Sequence, residues 1–147
     1  MCSRKLICAA LLLLSLPAIA ATGTSAPKEW QLAGEGDIGK LYVKTSSIEK
    51  QGDGVSALYR MDFASPQRNT RGGKNYLSTD IQATVFCKPS TIVRTELTAY
   101  SEAGGKGEVV GGFKRSVLEA QLEAIHSGGS DEDLWRFLCV KKTPGKK

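Results

Sequence analysis

Two runs of two-residue alternation constrain this chain more than any other feature. In the first, Val55, Ala57, Tyr59, Met61 and Phe63 fall on one side while Ser56, Arg60 and Asp62 fall on the other, with Leu58 as the one exception. In the second, Leu77, Thr79, Ile81, Ala83, Val85 and Cys87 share a side opposite Ser78, Asp80, Gln82 and Thr84. Successive side chains of a strand point to opposite faces, so the pattern predicts antiparallel strands with one buried and one polar face. Cys87 is thereby placed on the core side.

Shorter strands are expected around these two. Trp30 and Leu32 alternate with polar neighbours, Gly34-Glu35-Gly36-Asp37 supplies a turn, and Leu41-Tyr42-Val43 follows. Gly52-Asp53-Gly54 permits the tight reversal that leads into Val55. Lys88-Pro89-Ser90 turns the chain into the β-branched run 91–100. Beyond Gly104, Gly105 and Gly107, a further strand is expected at Val109, Val110 and Phe113, bulged at Gly111-Gly112.

The composition then changes. Good helix formers run from Ser116 to Ile125, with Leu118, Leu122 and Ile125 at helical spacing, and predict a short helix. Ser130 followed by Asp131-Glu132-Asp133 predicts a terminal helix with a hydroxyl cap and an acidic first turn. On it Leu134 and Leu138 are one turn apart, as are Trp135 and Cys139, with Arg136 facing solvent. The expected class is α+β: an antiparallel β-sheet of about six strands with a C-terminal helix.

At the N-terminus, Arg4 and Lys5 precede the apolar run Leu6 to Leu16, Pro17 ends it, and Ala18-Ile19-Ala20 has the small residues that a signal peptidase reads. Residues 1–20 are therefore expected to be a signal peptide, 21–28 a flexible leader, 29–141 one folded domain and 142–147 a frayed basic tail. The apolar run is too short for a spanning anchor, which needs about 20 residues. Cys8 sits near the start of that run rather than after a small-residue box, so lipid attachment is not expected. An exported chain, periplasmic or secreted, follows from these residues.

Of the four cysteines, Cys2 and Cys8 leave with the signal, and the remaining pair in an oxidising compartment predicts one disulfide, Cys87 to Cys139. Such a bridge would pin the helix to the sheet and contribute roughly 4 kcal/mol in the chain-entropy model. Loss of Arg4 and Lys5 lowers the formal charge from +5 to +3. That bias, with acids and bases mixed along the chain, argues against a nucleic-acid partner.

Several of these segments together resemble the surface-adhesin E-like family of bacterial exported proteins. The resemblance rests on Trp30, the strand and turn from Leu41 to Ile48, Gly52-Asp53-Gly54, Tyr76-Leu77-Ser78 leading to Cys87, Tyr100-Ser101, and Leu134-Trp135-Arg136-Phe137-Leu138-Cys139. It implies an antiparallel sheet, a C-terminal helix and a disulfide joining them, together with a binding role of adhesin type. Lys44 departs from the family's usual acidic residue.

Catalytic chemistry finds little support. His126 is the only histidine, and a Ser-His-Asp arrangement would need Asp131 or Asp133 beside it and a serine that no nucleophile-elbow motif supplies. One histidine with helix-capping carboxylates lacks the number and spacing of a metal site, and both cysteines are taken. No cofactor and no enzymatic activity are expected. The one concentration of positive charge is the loop 66–74, where Arg68, Arg71 and Lys74, with Arg60 on the strand before it, could hold an anionic group. The expected partners are host or envelope proteins or anionic glycans, with no membrane insertion after signal cleavage. The alternative is a homodimer or assembly through a sheet edge near Trp30 or Val109.

Overall fold

The computed structural model describes residues 29–70 and 73–140. The expected signal peptide, leader and basic tail, and Arg71 in the charged loop, lie outside the described residues. The strands are β1 (Trp30–Gly36), β2 (Gly39–Lys44), β3 (Glu49–Gln51), β4 (Gly54–Gln67), β5 (Tyr76–Phe86), β6 (Thr91–Glu102), β7 (Lys106–Lys114) and β8 (Leu122–Ala124). Helix α1 (Ser130–Trp135) passes into a π turn, Arg136–Val140. The main path of the sheet runs β1-β2-β4-β5-β6-β7, with β3 beside β4 and β8 beside β6, every pairing antiparallel.

The long alternating runs became the two central strands, paired Tyr59 with Ile81 and Met61 with Thr79. Their apolar side forms the core with Leu41, Val43, Ile92, Leu134, Phe137 and Leu138. Burying each large aliphatic side chain contributes about 1.5–3 kcal/mol. Helix α1 packs on β1 and β2 at one end of that face. The fit is close: a methyl group added to Gly34 on β1 would lie 2.3 Å from the Asp133 carboxylate.

Leu58, which broke the alternation, lies half-buried on the side away from the helix, and its N–H donates to Ser47 Oγ at 2.8 Å. Ser47 belongs to a short 3-10 turn, Thr45–Ser47, that separates β2 from β3. Both strands pair with β4 on either side of Leu58, and the serine satisfies a backbone donor that neither ladder reaches.

The disulfide between Cys87 and Cys139 spans a sequence separation of 52 and ties the end of β5 to the π turn, with Cα atoms 5.7 Å apart. Trp135 Nε1 donates to the Cys87 carbonyl at 3.4 Å beside it.

Three local expectations change. The segment 116–125 is not a helix: residues 116–120 make a single turn, and β8 follows, pairing Leu122 with Val93 and Ala124 with Thr91. Ten residues are too few to hold a helix without a face to pack on, whereas β6 offers an unpaired ladder beyond the end of β7. The bulge in β7 falls at Val110, next to the glycines, because Ala99 pairs with Gly111 and Tyr100 with Val109. The N-cap is Gly129, with no side-chain cap; the Glu132 carboxylate instead accepts from the Gly128 N–H at 2.6 Å. Its pKa is held below the ordinary carboxylate value by that bond and by Arg136.

Candidate binding surface

Two arginines organise the two sides of the sheet. On the side away from the helix, Arg60 makes a two-pronged contact with Asp80, Nε to Oδ1 at 2.5 Å and Nη2 to Oδ2 at 2.7 Å, and Nη1 donates to the Gly104 carbonyl at 2.6 Å. Its guanidinium lies 4.1 Å from the centre of the Trp30 ring. The bond to Asp80 raises the Arg60 pKa and outweighs burial. The β6–β7 turn folds down onto this group: Gly104 N–H donates to Asp62 Oδ1 at 2.8 Å and Gly105 N–H to Ser78 Oγ at 3.0 Å. Gly105 has φ +67, and a Cβ there would meet Arg60 Nη2 at 2.3 Å, so the turn requires glycine on both counts.

On the helix side, Arg94 bridges three elements. Nε donates to Tyr59 Oη at 3.0 Å, Nη1 to Glu123 on β8 at 2.5 Å and Nη2 to Asp131 on α1 at 2.5 Å. Burial works against the Arg94 charge, but Tyr59 and Asp131 outweigh it and hold the pKa above its ordinary value. Burial likewise pushes the Tyr59 phenol up to about 12. Asp131 is thus more than a helix-capping residue. It is also spent on Arg94 rather than on His126, which is exposed in a shallow cleft lined by Ser127, Gly129 and Ser130. Among the described residues no hydrogen bond joins His126 to a serine or carboxylate.

The charged connection between β4 and β5 leans on β7. Asn69 Nδ2 donates to the Val110 carbonyl at 2.9 Å, and Lys74 Nζ donates to Glu108 Oε2 at 2.5 Å. Beneath it lies a groove of about 210 Å³, lined by Arg68, Asn69, Thr70, Tyr76, Leu97, Ala99, Gly111, Gly112 and Phe113. Tyr76 stands edge-on to Phe63, ring centres 5.6 Å apart, and Arg115 lies 3.9 Å from the centre of the Phe113 ring. Two glycines line the groove: a methyl group at Gly111 would meet Asn69 Nδ2 at 3.2 Å, and one at Gly112 would meet the Leu97 carbonyl at 2.3 Å.

The four cations expected to act together are therefore placed differently. Arg68 borders the groove, Lys74 is at the loop's tie to β7, Arg71 lies outside the described residues, and Arg60 is held by Asp80 beneath the β6–β7 turn. Sequence reasoning missed Tyr76 and Phe113 as groove walls and Arg94 as a bridge. The adjacency Phe113-Lys114-Arg115 was the one available signal for an aromatic wall with a cation on it. Among the described residues no helix is long and apolar enough to cross a membrane.

An antiparallel sheet whose terminal helix is fastened to a central strand by one disulfide defines the class. The sequence pattern of the family described as Surface-adhesin protein E matches residues 30–140, and the chain belongs to that family. Among solved structures, protein E from non-typeable Haemophilus influenzae aligns with a TM-score of 0.54 at 11% identity, over 80% of this chain and 79% of that one. Crystal form II of Haemophilus influenzae protein E aligns at 0.56 with 12% identity, over 80% and 91%. At such identities the likeness is one of fold. Among curated proteins no match to the chain is found.

Proposed function

We propose that this chain is an exported, non-enzymatic binding domain of adhesin type that holds a protein or anionic glycan partner at the β4–β5 connection and the groove beneath it. The observation that carries this reading is the groove: Arg68, exposed and without an acidic partner among the described residues, borders it together with the rings of Tyr76 and Phe113. Guanidinium groups grip carboxylates and sulfates, and aromatic rings offer flat apolar area with little entropy to lose. Lys74 and Glu108 are both well exposed, so their ion pair is weak and Lys74 is available to an incoming anion. Export is supported by the pattern Arg4-Lys5, Leu6 to Leu16 and Ala18-Ile19-Ala20.

Binding to an immobilised acidic polysaccharide, followed as salt is raised, tests the reading. Wild type is expected to be retained, and Arg68→Ala/Arg71→Ala/Lys74→Ala to lose about tenfold or more in affinity. Equal retention of the two would overturn it.

Self-association through a sheet edge is the second reading, favoured by Val109 on the edge strand β7, which is 59% exposed. Both outer strands carry register shifts, between Leu32 and Gly34 in β1 and at Val110 in β7, and such bulges discourage edge pairing. Sedimentation equilibrium over a range of concentrations decides whether a dimer forms.

A further inference from the structure

The segment joining β7 to β8 displays aliphatic side chains in solvent: Leu118 is 98% exposed and Val117 and Leu122 are each 61% exposed. Hydrogen bonds close the turn that carries them. Glu119 and Ala120 N–H groups both donate to the Ser116 carbonyl at 3.1 Å, while Ser116 N–H and Oγ donate to Glu119 Oε2 at 2.9 and 2.8 Å. The glutamate reaching back to the Ser116 N–H is one half of a helix capping box, here closing a single turn. Pre-organised exposure of adjacent large aliphatics is uncommon on a protein that has no use for it.

The charges around the turn are sorted as well. Of its two acids Glu123 is paired with Arg94, while Glu119, hydrogen-bonded to the uncharged Ser116, keeps its charge and leaves two cations against one unpaired acid. The cations stand at its base: Lys114, 79% exposed, makes only an exposed pair with Glu96 at 3.2 Å, and Arg115 lies over Phe113. The result is an apolar tip with a basic collar. Three aliphatic side chains are far too little area for a stable protein interface, which buries about 800 Å² on each partner. A lipid surface asks for much less, since a few inserted methylene groups and adjacent cations suffice for reversible attachment.

We propose that the 116–122 turn is a peripheral contact for an anionic phospholipid surface. Val117 and Leu118 enter the boundary between headgroups and acyl chains, Leu122 follows at its edge, and Lys114 and Arg115 meet the headgroup phosphates. The aliphatic tip shares no residue with the Arg68 groove and adjoins it through Arg115, which lies over Phe113.

Co-sedimentation of the protein, purified after export, with vesicles of phosphatidylcholine alone and of phosphatidylcholine mixed with phosphatidylglycerol tests this. Wild type is expected to pellet with the mixed vesicles and weakly with the neutral ones. Val117→Ser/Leu118→Ser is expected to reduce partitioning about tenfold or more on the mixed vesicles. Because Leu118 is almost wholly in solvent, its melting midpoint should match that of wild type. Lys114→Gln/Arg115→Gln is expected to abolish the preference for anionic vesicles while leaving the apolar tip in place. Absence of wild-type binding to either vesicle, or unchanged binding by either variant, overturns the proposal. So does a concentration-dependent dimer, seen without lipid, that Val117→Ser/Leu118→Ser dissolves.

Discussion

On the face covered by α1, Leu41, Val43, Tyr59, Met61, Ile81 and Val85 pack with Leu134, Phe137 and Leu138. On the opposite face the same strands carry Arg60, Asp62, Ser78 and Asp80, closed over by the β6–β7 turn. The first face is held by burial, which is non-directional and shared among many side chains. The second is held by directed bonds that Arg60, Asp62, Ser78 and Asp80 make with one another and with the β6–β7 turn, so its strength is concentrated in a few atoms. Damage to the first should be felt throughout the molecule, and damage to the second should remain near the turn.

The largest effect is expected from Leu134→Ala. Leu134 is fully buried at the centre of the covered face, and its truncation should cost about 3–4 kcal/mol in chemical denaturation, with hydrogen exchange faster across β2, β4 and β5 alike. A cost below about 1 kcal/mol would show that the disulfide, rather than the packing, holds the helix in place. Arg60→Ala comes next. Its ion pair with Asp80 is mostly buried, so its removal should cost about 2–3 kcal/mol. Faster exchange should be confined to Gly104, Gly105 and their neighbours. Exchange that accelerated equally at Tyr59 and Val43 would break the distinction between the faces.

The smallest of the three concerns pH. Tyr59 titrates at about 12 in the fold against 10.0 for an ordinary phenol, because burial disfavours the phenolate. Above pH 10 the unfolded chain releases a proton that the folded chain retains, so stability present below pH 10 is lost as pH rises towards 12, by about 2 kcal/mol. Tyr59→Phe should flatten that decline relative to wild type, and ultraviolet titration should show one tyrosine ionising late. A decline of unchanged slope in the variant would assign it to other groups.

The central strands were legible because burial of one face only imposes a period of two that few other arrangements share. Residues 55–63 and 77–87 therefore announced both their conformation and their inward face, and Cys87 could be paired with Cys139 by elimination once Cys2 and Cys8 were assigned to the signal. The segment 116–125 misled because its preference is local. Ser116 and Glu119 do begin a helical turn, but no surface is offered to Leu118 and Leu122, and β6 supplies a ladder instead. Ser130 misled for a related reason, since a cap depends on where the preceding glycines place the chain.

The charged loop shows the limit most plainly. Arg60 and Arg68 are eight positions apart and looked equivalent, yet one is held by Asp80 below the β6–β7 turn and the other borders a groove walled by Phe113. Periodicity and composition within one stretch of chain were enough to specify the central strands, their buried face and the two cysteines available to bridge. Which arginine meets an acid, which meets solvent and which aliphatic side chains remain uncovered was set by contacts between segments far apart in the chain. Those outcomes depend on the bulges and turns that set register between distant strands, where a shift of one residue exchanges the faces.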